Sequence, residues 1–444
     1  MKVRHIRNAT VAAAYTATFI LIYRFYLNPV FEYAGYYWIE RGFLPVLTAA
    51  TMSVIPALLY RGLKSISAFI AVLIYVICYV PAVITLPVAL NRDIFEISAV
   101  QFALMVGMSL FFIADRIASG RSLKLAKTKL PMRVVHAMTL LFTAFVLSAY
   151  SGNMRLVDFQ DVYELREAAS ELPVNVLVGY MVMWLTYCLY PLYLAIGIVH
   201  KRWSYFVLAS IGCVVIYMAT GAKASVLTPV ILICMYLVIR MKGDLFANLA
   251  LILSGISLCL LVLDTDDNLI AFWARSLLFN RILGTGGWVT YTYYEFFTEN
   301  RFTYLTHLNI INYLTKGYPY GAQELGQVIA RAYGSEGSNY NAHFWASDGI
   351  AAFGIAGIYI VNVLVFLFLI LLNLLTASLE IRFLCLWLTG FILGMLNLPF
   401  FTALLSAGGL LIVLLLIFVR IRDAERSSIS YPCAPGVRAE PARA

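Results

Sequence analysis

Gly349 to Asn373 reads GIAAFGIAGIYIVNVLVFLFLILLN, 25 residues without a formal charge. About 20 apolar residues in a helix are enough to cross the hydrocarbon core of a bilayer. Working outward from this run, the same pattern recurs along the chain. Apolar stretches lie at 9–27, 43–60, 66–90, 97–115, 134–151, 174–199, 204–220, 224–240, 246–263, 349–373, 383–398 and 400–419, each read as a span from its length and lack of charge. The pairs within 204–240 and 383–419 are short enough to be re-entrant or tilted. Composition agrees, with 62% hydrophobic and 12% charged residues against about 45–50% and about 25% in soluble domains. Too little polar surface exists to coat a water-soluble globule. A cytosolic enzyme, a secreted disulfide scaffold and a disordered regulator are excluded. The expectation is an all-α polytopic membrane protein of about 12 transmembrane helices. A single transmembrane domain covers 1–422, with extramembrane segments at 152–173 and 264–348, followed by a disordered tail at 423–444 rich in Ser, Pro and Ala.

Twelve spans place both termini on one side of the membrane. With the termini inside, the inside loops and tail hold about 21 basic and about 6 acidic residues, a net of about +15, and the outside segments net about −6. That asymmetry satisfies the positive-inside rule, and the inverted topology fails it. The excess of basic residues therefore marks cytoplasmic loops, and no nucleic-acid partner is implied. Met1 to Arg7 before an apolar run imitates a secretory leader. The bulky Tyr23-Arg24-Phe25-Tyr26 that follows is wrong for cleavage, so the segment reads as an uncleaved first span. The cysteines form no C-x-x-C pair and the histidines no H-E-x-x-H, so no metal and no cofactor are expected. No cytoplasmic nucleotide-binding domain is present, which argues against ATP-driven transport by this chain. No internal repeat of the kind found in two-half transporters is visible.

Four outside features stand out. Asp158 to Ala169 is helical in composition, with Phe159, Val162, Leu165, Ala169 and Leu172 on one stripe. It reads either as an interfacial helix or as one that turns Tyr163 and Arg166 toward a site. Thr220-Gly221-Ala222-Lys223 joins two spans. There Lys223 either snorkels to the interface or, beside a helix N-terminus, favours a phosphate. In the 264–348 segment, Asp264, Asp266 and Asp267 precede a helical stretch bearing Arg275 and Arg281. On an α-helix those two arginines would project about 120° apart. Gly284 to Gly287 reads as a turn, and Trp288 to Phe297 is densely aromatic, with Tyr291 and Tyr294. Such a run suits an interfacial belt or rings that stack on sugar faces. The segment closes on Ser338 to Gly357. A helix starting near Ala342 would stack Asn341, Trp345 and Asp348 in one row. Asp348 would then sit at the membrane margin, where an ionisable group suggests function. Gly349, Gly354 and Gly357 leave room for close packing.

Taken together, these stretches resemble the Wzy-type O-antigen polymerases, the oligosaccharide repeat-unit polymerases of bacterial envelopes. The features are Asp161-Val162-Tyr163-Glu164-Leu165-Arg166, Thr220-Gly221-Ala222-Lys223, Tyr294-Glu295-Phe296-Phe297 after an arginine-bearing helix, and Asn341 to Gly357. Their order and spacing agree across nearly the whole chain. Arg275 to Gly286 also fits an Arg-x10-Gly loop motif of such enzymes, and His343 stands where many relatives carry a small polar residue. The resemblance implies a metal-independent membrane glycosyltransferase of GT-C-like architecture. It would act at the periplasmic face of the bacterial inner membrane on undecaprenyl-diphosphate-linked oligosaccharides, alongside a chain-length regulator and a flippase. A diphosphate leaving group calls for cations, here Arg166, Lys223, Arg275 and Arg281. The acceptor hydroxyl calls for a base, here Asp348, His343 or Glu295. Tyr163, Tyr291, Tyr294, Asn341 and Trp345 are the expected glycan-binding residues. An O-antigen ligase, which transfers finished glycan to a lipid A core, and a lipid-linked oligosaccharide flippase are the alternatives. A flippase would need charges deep in several spans, and here the span centres are almost charge-free.

Overall fold

The computed structural model describes residues 2–117, 121–123, 129–157, 162–263, 269–335 and 338–421. The Asp264, Asp266 and Asp267 cluster and the 423–444 tail lie outside them. The protein is all-α, with one isolated bridge between Leu130 and Val419. Among the described residues nine helices are long and apolar enough to cross a membrane: Val3–Ala34, Ile66–Ala89, Ile94–Ile117, Arg133–Tyr150, Val176–Val199, Trp203–Thr220, Lys223–Arg240, Leu245–Val262 and Trp345–Thr376. Phe43–Ala57, Ile381–Met395 and Gly409–Phe418 are shorter apolar helices. Each of the twelve stretches read from the sequence thus contains a helix. The last is broken, because Gly408 takes a left-handed φ of 84° between Phe400–Leu405 and Gly409–Phe418.

Ile66–Ala89 is apolar all round and buried along nearly its whole length, as such a helix must be. Arg133–Tyr150 and Lys223–Arg240 lie at the periphery and turn Leu140, Leu141, Val230 and Leu237 outward. Apolar faces of that extent suit lipid rather than water.

The loops sort into two groups. Arg4 donates to the Arg61 carbonyl, Arg7 pairs with Asp244 and Lys129 donates to the Leu416 carbonyl, all within the group read as inside. Arg41 donates to the Leu90 and Arg92 carbonyls, Tyr36 to Asn280, and Arg92 pairs with Glu299, all within the group read as outside.

Two local expectations are corrected. Gly284 to Gly287 is not a turn. The helix continues from the π-helical Ser276–Gly284 into Thr285–Glu299. A Cβ on Gly286 would lie 2.9 Å from the Ile77 carbonyl oxygen, and one on Gly287 would lie 2.5 Å from that of Pro81. The glycines are contact points for a buried neighbour. Arg275 ends the α-helix Leu269–Arg275, and the stretch from it to Arg281 is π-helical, so the α-helical spacing assumed for the two arginines does not apply.

The second correction concerns the run that opens the sequence reading. Trp345–Ile350 is π-helical, and the chain leaves helical geometry at Phe353 and Gly354. It then folds back, so that a Cβ on Gly357 would lie 2.0 Å from the Gly349 carbonyl oxygen. In a continuous helix those positions would be about 12 Å apart. A short limb therefore packs against the long helix that follows it. The expected row of Asn341, Trp345 and Asp348 does not form. Asn341 precedes the helix, and Trp345 donates its indole N–H to Asn362 Oδ1 at 2.7 Å.

Candidate functional site

Three of the four expected diphosphate ligands converge from separate parts of the chain. Gly221, at a left-handed φ of 65°, ends Trp203–Thr220, and Lys223 opens the next helix. The amphipathic helix Val162–Glu171 crosses this turn, with Val162 and Leu165 fully buried beneath it. Arg166 Nε donates to the Gly221 carbonyl at 3.1 Å. A Cβ at Gly221 would meet the Val162 carbonyl oxygen at 3.2 Å, so glycine lets this helix sit down. The Lys223 ammonium lies in the electrostatic reach of both Arg166 and Arg281. Like charges in one place repel, and an anion relieves that repulsion. Arg275 is used elsewhere: its Nε donates to the Leu260 carbonyl at 2.6 Å and its guanidinium lies 5.9 Å from the Tyr26 ring. Tyr163 belongs to the helix that carries Arg166, but its side chain lies outside the described residues.

Asp348 sits in a different setting. It is fully buried on the folded-back limb. Oδ2 accepts the backbone N–H of Phe400 and, at 3.3 Å, that of Phe401. These open the helix Phe400–Leu405, whose N-terminus favours a carboxylate. Oδ1 lies 3.3 Å from His307 Nε2. His307 Nδ1 lies 2.7 Å from Thr303 Oγ1, which in turn donates to the Ala351 carbonyl at 3.0 Å. Because the Thr303 hydroxyl donates to Ala351, its oxygen accepts from His307 Nδ1, and Nε2 is left to face Asp348. The turn carrying the histidine holds Tyr304 and Leu305 at φ 49° and 66°. Two successive left-handed non-glycine residues store strain that surrounding contacts must hold. His307 is not among the bases expected from the sequence, because it stands 41 positions from Asp348 and no spacing motif announces the pair.

The other candidate bases are separate again. His343 is buried, with Nε2 3.1 Å from the Gly286 carbonyl oxygen and 2.9 Å from Thr290 Oγ1. Burial pushes its pKa down to about 4, so the ring is neutral near pH 7. Its Nδ1 has no partner among the described residues. Glu295 is half-buried and accepts from the hydroxyls of Tyr333, at 3.2 Å, and Tyr291. Burial first, and this carboxylate second, push both phenols above their ordinary pKa. Among the expected glycan ligands, Tyr291, Tyr294 and Trp345 have buried rings, Tyr294 donating to Glu96 at 2.9 Å. Asn341 is exposed. Among the described residues no group of three or more His, Cys, Asp or Glu is placed to hold a metal ion.

Comparison with protein-family models, with curated proteins and with solved structures gives no match.

Proposed function

We propose that this chain is a multi-pass glycosyltransferase of the bacterial inner membrane. In this reading it polymerises undecaprenyl-diphosphate-linked oligosaccharide repeat units into O-antigen or a related surface polysaccharide at the periplasmic face. Both termini are cytoplasmic, about 12 helices span the bilayer, and the architecture is GT-C-like. The convergence of Arg166, Lys223 and Arg281 carries the proposal. They meet in the group of loops that the charge asymmetry assigns to the outside. The reaction needs such a place. The acceptor hydroxyl oxygen attacks the anomeric carbon of the growing glycan, the bond from that carbon to the diphosphate oxygen breaks, and undecaprenyl diphosphate departs with the electron pair. Three cations stabilise the charge that develops on it. The hydroxyl proton passes to a base. Glu295 is the candidate base that keeps partial exposure, whereas Asp348 is committed to His307 and the helix at Phe400.

Deletion of the gene, read on a polysaccharide gel, tests this against its alternatives. Loss of a polymerase leaves single-repeat caps. Loss of a ligase leaves bare core, and loss of a flippase also removes the caps. Single-repeat caps restored to long chains by the wild-type chain, but not by Lys223→Ala/Arg281→Ala, are the expected result. Purified protein should polymerise in EDTA, and an absolute requirement for a divalent ion would contradict the cation-based mechanism.

A further inference from the structure

Between the strained turn and the helix Leu325–Ala332 lies a cleft of about 370 Å³ lined by Asn312, Tyr313, Lys316, Tyr318 and Gly321. Its size is at the small end of ligand clefts. Tyr313 is 82% exposed, although a tyrosine ring is an expensive group to leave in water without use. Asn312 Oδ1 accepts the Tyr318 backbone N–H at 3.3 Å, which fixes the amide. The Tyr318 hydroxyl is buried and has no partner among the described residues.

Lys316 supplies the most telling observation. It ends the helix Asn309–Thr315 in the left-handed conformation, φ 50° and ψ 30°. Glycine is the residue that adopts this position without strain, and Gly317 stands one place further on. A lysine held there against its backbone preference points to use of the side chain. Among the described residues no carboxylate pairs with its ammonium. Glu324, the acid that faces Tyr318, is occupied by the cap of Leu325–Ala332 and by Asn339 Nδ2 at 2.7 Å.

We propose that this cleft is a glycan subsite for a sugar residue bearing a carboxylate. The Tyr313 ring packs on the apolar face of the sugar. The Asn312 amide meets its hydroxyls. The Lys316 ammonium meets its carboxylate in a charge-assisted bond. The subsite shares no residue with the Arg166, Lys223 and Arg281 cluster, and it holds glycan away from the bond being made. Its ligand class rests on the glycosyltransferase reading.

The test uses full-length protein in lipid nanodiscs, with digalacturonate and maltose titrated separately and followed by saturation-transfer NMR. Digalacturonate should bind about tenfold more tightly than maltose, a ratio worth about 1.4 kcal/mol. Tyr313→Ala should weaken both sugars about tenfold. Lys316→Gly should erase the preference for the acidic sugar and at the same time raise the thermal midpoint, because the backbone strain is relieved. A residue of purely structural value would do the reverse. Equal binding of the two sugars, binding of neither, or a Lys316→Gly variant with lower midpoint and intact preference overturns the proposal. Absent binding with polymer still lost in Lys223→Ala/Arg281→Ala would remove the cleft alone. Sound binding with normal polymer in the deletion strain would remove the polymerase reading and leave a sugar-binding cleft.

Discussion

The Arg166, Lys223 and Arg281 cluster and the Thr303, His307 and Asp348 network are built in opposite ways. In the first, three like charges approach from three segments, and two of the three residues, Arg166 and Arg281, are exposed. In the second, the side chains are sealed from solvent and every hydrogen-bonding atom of the His307 ring and the Asp348 carboxyl has a partner. A place that gathers like charge favours an anion. A place that is already satisfied holds the fold together. Asp348, an expected base, belongs by its surroundings to the second kind.

The largest effect should come from breaking the satisfied network. Asp348→Ala leaves His307 and two backbone N–H groups buried without their partner, and each buried polar group left unpaired costs about 1–3 kcal/mol. Little folded protein should survive detergent extraction, as read by size-exclusion profile. Asp348→Asn keeps an acceptor and should retain more. Wild-type yield in both variants would show that the network does not hold the fold.

Next come the cations. Each charge-assisted hydrogen bond is worth about 1.5–3 kcal/mol, or about 10–10² in rate. Lys223→Ala and Arg281→Ala should abolish long chains at normal protein level. Arg281→Lys should rescue only in part, because lysine lacks the bidentate fork. Lys223→Arg should be milder than Lys223→Ala. Arg275→Ala, on the expectation from sequence alone, would behave like Arg281→Ala. Its bond to the Leu260 carbonyl makes it a packing residue instead, so the variant should lose thermal stability and keep chain length.

The smallest effect concerns pH. His343 has its pKa depressed from 6.5 to about 4 by burial. The unfolded chain therefore binds a proton between those values that the folded chain refuses, and stability rises with pH across that window. The contribution is present above pH 6.5 and is lost as pH falls through about 4. Thermal midpoints measured from pH 7 to pH 4 should fall less steeply in His343→Gln than in the wild type. Parallel curves would place the titration elsewhere.

Much of the architecture is legible because a helix able to cross a membrane must be long and apolar, and charge-free runs such as 349–373 declare themselves. The cations at positions 166, 223 and 281 are legible for a related reason, since charges in apolar surroundings stand out. Tertiary geometry is less so. The fold-back at Phe353 and Gly354 is invisible because Phe is a good residue for a continuous apolar helix, and Gly is common in membrane helices. The glycines at 284–287 look like a turn, but their function is to admit the backbone at Ile77 and Pro81. His307 stays hidden because its partner lies far along the chain. The aromatic residues at 291, 294 and 345 carry the chemistry of sugar binding in their names only. In the structure their rings fill the core.

The grip of Asp348 on Phe400 also sets a timetable for synthesis. His307 leaves the ribosome 41 residues before Asp348, whereas Phe400 follows 52 residues after it. At about 5–20 residues per second, the carboxylate waits roughly 3–10 s for its second partner. Until then the Asp348 side chain has only the histidine as a partner. The last helices of the chain are thus the final fastening of a segment made before them. A nascent chain stopped short of Phe400 would leave Asp348 with one partner of its two.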